Sequence, residues 1–188
     1  MLNLRLSSIL FYIFEPMKNI GLVLAFIVLS CNTGKQEGKS EASPVAALTV
    51  AKVPTYSFDE FEELLYKNDG QTYVVNFWAT WCKPCIKELP YFESIRTTYA
   101  QDNVEVILVS LDFPEQVETR LIPFIEKKNL QSQVVLLDDP DSNTWIPKVS
   151  EDWTGAIPAT VIYNGETRSF YERSFTYEEL ERELKQFL

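Results

Sequence analysis

The chain contains no histidine. That absence excludes Ser-His-Asp and Cys-His catalysis, haem attachment through C-x-x-C-H, and every metal site that needs an imidazole. Positive charge is scarce as well: 17 Lys and Arg stand against 27 Asp and Glu, a formal net charge of −10. A nucleic-acid reader needs a basic face, and this balance argues against a nucleic-acid partner. The apolar run Ile20 to Leu29 is ten residues long, short of the ~20 that span a bilayer. No internal repeat occurs, and no low-complexity block beyond one polar stretch near the N-terminus. What is present is ample for a core. The chain has 188 residues, 46% hydrophobic and 23% charged, enough for one domain of ordinary size plus a tail and unlike a disordered acidic chain.

Residues 1–30 are set aside as a targeting segment. Met17-Lys18 before Ile20 to Leu29 reads as a basic start and a short apolar stretch, with Met17 a candidate true start, because Glu15-Pro16 interrupts the apolar stretch ahead of it. The stretch ends Val28-Leu29-Ser30-Cys31, which resembles a bacterial lipoprotein signal. That likeness makes Cys31 the lipidated first residue of the mature protein and places the protein, lipid-anchored, on the outer side of a bacterial membrane. Loss of residues 1–30 removes Arg5, Lys18 and Glu15 and takes the charge from −10 to −11. Residues 31–47, rich in Gly, Ser, Lys and Glu, read as a flexible tether, and residues 48–188 as the folded domain.

Within that domain, hydrophobic period and cap residues mark the elements. Ser57 with Glu60 forms a capping box ahead of Phe58, Phe61, Leu64 and Leu65 at helical spacing. Tyr73 to Trp78 and Val104 to Leu111 are short β-forming apolar runs suited to buried strands. Cys82 to Tyr99 reads as a helix, and so does Glu115 to Lys128, with a kink at Pro123. A short strand at Val134 to Leu137 and a short helix at Ser142 to Val149, containing Pro147, follow. Ala159 to Tyr163, Asn164-Gly165 and Thr167 to Tyr171 spell a hairpin with a type I′ turn. Thr176 with Glu179 caps a last helix that buries Leu180 and Leu184. From Tyr73 onward the order is β-α-β-α-β-α-β-β-α, which predicts an α/β sandwich around a mixed sheet.

Trp81-Cys82-Lys83-Pro84-Cys85 falls between a buried strand and a helix. Cysteines at i and i+3 in a first helical turn can close a small disulfide, and the helix N-terminus stabilises a thiolate on Cys82. Pro84 suits a position whose N–H has no helical partner. The spacing makes Cys82 the attacking thiol and Cys85 the resolving one. Half of a zinc site is one competing reading, but no further Cys or His pair completes four ligands, so no metal is expected. An inert structural disulfide is the other, although so small a loop stabilises little.

Val74-Val-Asn-Phe-Trp-Ala-Thr-Trp-Cys-Lys-Pro-Cys85, with Glu88, Pro90 and Gly155-Ala-Ile-Pro158, resembles the thioredoxin superfamily, and within it the TlpA/ResA-like membrane-tethered thiol–disulfide oxidoreductases. The resemblance covers Val53 to Leu188. It implies a thioredoxin-like three-layer sandwich, a mixed central sheet with helices on both faces, and a family-type βα insertion between Cys85 and Pro158. A peroxiredoxin would set its cysteine in P-x-x-x-T-x-x-C, which this chain lacks. By position, Pro158 matches the family's cis-proline, Pro90 its helix-kinking proline, and Ile157 the residue whose backbone pairs with bound polypeptide. Trp81, Lys83 and Pro84 complete the expected substrate contacts. Trp153 could flank the thiol too, but reads better as core. Asn76 stands where thioredoxin has a buried Asp that handles the resolving cysteine's proton, and an amide cannot take a proton. Glu88 matches an acidic residue frequent in the TlpA/ResA-like group and is the candidate replacement.

The resemblance implies a monomeric reductase, without cofactor, of disulfide-bearing exported proteins, with apocytochromes among the possible substrates. A membrane thiol donor would supply its electrons, because an oxidising compartment would otherwise leave it oxidised. The alternative is a non-catalytic anchored binding module with a static 82–85 disulfide.

Overall fold

The computed structural model describes residues 53–188, Glu166 excepted. The signal segment, the lipidation candidate Cys31 and the tether lie outside the described residues. Strand β2 (Thr72–Trp78) is buried at all seven positions, as a run without polar alternation requires when both faces of a sheet are covered. It pairs in parallel with β3 (Val104–Ser110), which pairs in parallel with β4 (Gln133–Leu137), and β4 with the two-residue β1 (Thr55–Tyr56). On its other side β2 runs antiparallel to β5 (Ala159–Asn164), which turns back into β6 (Thr167–Tyr171). The six-stranded sheet has the order β1-β4-β3-β2-β5-β6.

Alternation along β2 and β3 sends side chains to two cores. Val74, Trp78, Val106 and Leu108 face helices α2 (Lys83–Thr98), α3 (Ile122–Lys128) and α5 (Tyr177–Leu184) through Phe92, Ile95, Ile125, Leu180 and Leu184. Tyr73, Val75, Phe77, Ile107 and Val109 face α1 (Phe58–Phe61) and α4 (Ser142–Val149) through Phe58, Phe61, Trp145 and Val149. Helices on both faces of a mixed sheet make the three-layer thioredoxin-like sandwich.

The caps act as their residues suggest. The Glu60 carboxylate accepts from the Ser57 N–H and hydroxyl, both at 2.9 Å. Thr176 Oγ1 accepts from the Glu179 N–H at 3.3 Å, while Glu179 accepts from the Thr176 N–H at 2.9 Å. Among the described residues no helix is long and apolar enough to cross a membrane.

Three local expectations need correction. β1 is absent from the sequence reading, since two residues carry no period. The predicted helix 115–128 is three pieces: a 3₁₀ turn (Pro114–Gln116), a π turn (Val117–Leu121) and α3. Pro123 is the cause, because a residue without an N–H cannot bond the carbonyl four positions back. The Ile122 N–H reaches Val117 O instead, one residue further than an α-helix would. In the hairpin, Asn164 does not sit in the turn. It pairs with Thr167 in the ladder, its amide donates to Thr72 Oγ1 at 3.0 Å and Phe187 O at 3.2 Å, and Gly165, φ 56°, opens the turn.

Candidate functional site

The antiparallel β2–β5 register, with Phe77 opposite Ala159, brings the exit of β2 beside the entry of β5. Five residues past Phe77 stands Cys82, and two before Ala159 stands Ile157. Cys82 is the N-cap of α2, and its Sγ accepts from the Cys85 N–H at 3.3 Å. This contact supplies the helix-terminus donor that favours a thiolate on Cys82 in the reduced protein. Cys82 and Cys85 are joined by a disulfide, with Cα atoms 5.3 Å apart. Cys82 Sγ lies 3.8 Å from Ile157 O, and the Ile157–Pro158 bond is cis. Cys85 is fully buried and Cys82 nearly so, while Trp81, Lys83 and Pro84 are exposed around them.

One turn along α2 from Cys85, a cluster of buried polar side chains interrupts an otherwise apolar layer. Asn76 and Glu88 are both buried, Glu88 with 1% of its surface exposed. The Asn76 amide donates to Glu88 Oε1 at 3.1 Å and to Thr160 Oγ1 at 3.1 Å. Glu88 Oε2 accepts from the Phe175 N–H at 2.8 Å. Burial raises the Glu88 pKa to about 7, against the opposing pull of the Phe175 N–H, the Asn76 amide and the Arg173 charge. Asn76 Oδ1 is buried without a partner.

A second carboxylate fixes the approach to Cys82. Asp112, just past β3, accepts from the Thr80 N–H at 3.0 Å, the Thr80 hydroxyl and the Ser110 hydroxyl at 2.9 Å. A third, Glu172, does the same for the approach to Pro158, accepting from the Thr154 N–H at 3.2 Å, the Thr154 hydroxyl and the Ala156 N–H at 2.9 Å. Sequence reading missed both, because Thr80 lies 32 residues from Asp112, and Thr154 and Ala156 lie 18 and 16 residues from Glu172; only Ser110 is a local partner of Asp112. Trp153 is core: buried, packed at tilted and edge-on angles among Phe77, Trp145 and Phe170, with Nε1 donating to Ala156 O at 2.8 Å. The structure thus gathers Trp81, Cys82, Lys83, Pro84, Cys85, Glu88, Ile157 and Pro158 at the β2–α2 and β5 junctions. Among the described residues no cluster of three or more potential metal ligands occurs.

A sequence model of the AhpC/TSA family, a thioredoxin-like family, matches residues 47–167, more than half of the chain, and the chain belongs to that family. It is 36% identical over 77 residues to Sporulation thiol-disulfide oxidoreductase A of Bacillus subtilis, a stretch that is 41% of this chain and 47% of that protein. It is 32% identical over 115 residues to Thiol-disulfide oxidoreductase ResA of Oceanobacillus iheyensis, covering 60% of this chain and 55% of that one. The chain therefore spans about half the length of these relatives. In three dimensions it is similar to a thioredoxin-related protein from Neisseria meningitidis serogroup B, with a TM-score of 0.54 at 21% identity, covering 63% of this chain and 85% of the other. That likeness shows the fold.

The buried carboxyl has a thermodynamic signature. Glu88 ionises at about 7 in the folded chain against an ordinary 4.5. Between these values the folded state holds the extra proton, so stability falls as pH rises and levels off above about 7. Glu88→Gln removes this slope. Urea denaturation of both oxidised proteins from pH 4.5 to 8 is expected to show the wild type losing up to about 3 kcal/mol relative to the variant. Parallel stability curves would mean that Glu88 is as solvated in the folded chain as in the unfolded one.

Proposed function

We propose that this AhpC/TSA-family chain is a lipid-anchored, extracytoplasmic thiol–disulfide oxidoreductase that reduces disulfides in exported proteins, apocytochromes among them. The observation that carries the reading is the Cys82–Cys85 disulfide at the N-terminus of α2, held 3.8 Å from the carbonyl of a residue before a cis-proline. The names of the Bacillus and Oceanobacillus relatives support the same chemistry.

In the reduced protein the Cys82 thiolate attacks a substrate disulfide. A Cys82–substrate S–S bond forms, the substrate S–S bond breaks, and one substrate thiolate leaves and takes a proton. Cys85 then gives up its proton and attacks Cys82 Sγ. The 82–85 bond forms, the mixed disulfide breaks, and the second substrate thiol leaves, so two electrons pass to the substrate. A membrane thiol donor restores the dithiol. Ile157 and Pro158 hold the substrate as a short extended segment, with Trp81, Lys83 and Pro84 alongside.

Asn76 has no basic site for the Cys85 proton. Glu88 does: it lies one helical turn beyond Cys85, and an acceptor that titrates near 7 is matched to neutral pH. It also lines a groove of about 270 Å³ with Pro84, Lys87, Tyr91 and Phe175, which gives its proton a way out. The anchor is Cys31, joined to the domain by the tether of residues 31–47.

Three measurements test this reading. Cys85→Ser is expected to accumulate mixed disulfides through Cys82, and Cys82→Ser none. Equal trapping by both variants overturns the assignment of attacker and resolver, and trapping by neither leaves a binding module with a static disulfide. In stopped-flow experiments near pH 7, Glu88→Gln should slow resolution of the mixed disulfide about tenfold, the low end for general acid–base groups because water can substitute, with little change in the first attack. An unchanged resolution rate and pH profile makes water the acceptor. Cys31→Ser should free the protein from membranes while reduction in vitro persists, and firm membrane retention would mean that the apolar segment itself is the anchor.

A further inference from the structure

The segment 153–158 is unusual in how its backbone groups are shared out. Ala156 has neither group to spare: its N–H goes to Glu172 Oε1 at 2.9 Å and its carbonyl accepts from Trp153 Nε1 at 2.8 Å. Thr154 is held through both its N–H and its hydroxyl by the same Glu172 carboxylate. Gly155 between them has φ 93°, and a Cβ there would meet Ile146 Cδ1 at 3.1 Å, so the corner admits no ordinary side chain. Pro158 has no N–H. Among the described residues the Ile157 amide has no partner, and its carbonyl has only the 3.8 Å approach of Cys82 Sγ; Gly155 is also unpartnered at both backbone groups but stands two residues further from Pro158. One open residue stands between a fully engaged one and a proline, beside the reactive sulfur.

Glu172 causes this distribution. It lies one residue past β6, next to the Thr160–Tyr171 pair of the ladder, and its side chain reaches back over residues 154–156. Burial acts to raise its pKa, but the Thr154 hydroxyl and the Thr154 and Ala156 N–H groups outweigh burial and hold it below the ordinary value. The carboxylate form is the one that can accept all three donors.

We propose that Glu172 is a positioning residue for polypeptide substrates: by tying Thr154 and Ala156 to the end of β6 it holds the open amide and carbonyl of Ile157 where an extended chain can pair with them as its disulfide meets Cys82. This rests on the reading of Ile157 as a docking strand. Glu172 touches neither the disulfide nor the substrate, so its effect falls on backbone recognition and leaves thiol chemistry alone. Glu172→Gln keeps one acceptor oxygen and turns the other towards a donor that it cannot serve. Glu172→Ala removes both.

The test uses the pre-reduced full chain in single turnover with three probes. One is a disulfide-bonded peptide. The second is the same peptide singly N-methylated at each residue flanking its cysteine, and the third is 5,5′-dithiobis(2-nitrobenzoic acid), which has no backbone to pair. Wild type is expected to reduce the unmethylated peptide about three- to tenfold faster than the most impaired methylated form, the worth of about one hydrogen bond. Glu172→Gln should narrow that ratio and Glu172→Ala should bring it close to one, with the rate on the small disulfide unchanged in both. A ratio preserved in the variants overturns the role of Glu172 while docking through Ile157 stands. An equal loss on all three probes makes Glu172 a general structural residue and also overturns it. A wild-type ratio of one removes the docking reading itself, and this proposal with it.

Discussion

The pairing of β2 with β5 is the constraint on which the rest of the site depends. β2 takes parallel partners on one side and an antiparallel one on the other, and only the antiparallel side can set the end of one strand against the beginning of the next. That geometry puts Cys82 and Ile157 together although 75 residues separate them. Register matters as much as direction, because a slip of one residue would turn β5 over. Val161 and Ala159 would leave the core shared with Phe61 and Trp145, and Thr160 would lose Asn76. Packing on both faces therefore fixes the distance between the Cys82 sulfur and the Ile157 carbonyl.

Much of this architecture is legible in the sequence where a signal is local. Buried runs give β2 and β3, the two capping boxes give the starts of α1 and α5, and the W-C-K-P-C stretch gives the disulfide pair and the helix it opens. Signals fail where the deciding contact is distant or the element is too small. β1 depends on β4 across some eighty residues. The turn at Gly165 is displaced by one position because Asn164 is claimed by Thr72 and Phe187, which lie far away in the chain. The broken helix before α3 follows from Pro123, whose effect is readable as a disturbance but not as a π turn.

The same division runs through the site. Cys82 and Cys85 announce themselves by spacing. Glu88 does not, because a glutamate in the second turn of a helix is ordinarily solvated, and the partners that accompany its burial, the Asn76 amide of β2 and the Phe175 N–H, are distant in the chain. Asp112 and Glu172 are less visible still. Each is a lone acidic residue in an acidic chain, yet each gathers three donors from one side of the disulfide or the other. Three carboxylates thus lie around the Cys82–Cys85 disulfide, one raised by burial to about neutrality and two engaged in holding loops.

The opening at Ile157, closed in by Ala156 and Pro158, also bears on how long a partner could stay. An extended chain that paired at Ile157 would gain from that residue two backbone hydrogen bonds, each worth about 0.5–1.5 kcal/mol net. Neither neighbour can lengthen the ladder, since Ala156 is engaged on both groups and Pro158 has no donor. Under the proposed function, so few hydrogen bonds would make non-covalent residence brief, and the covalent bond to Cys82 would be the main grip on the partner. Such a surface would then favour turnover over selection, since backbone pairing reads no side chain and lets each partner go once the sulfur–sulfur bond is cut.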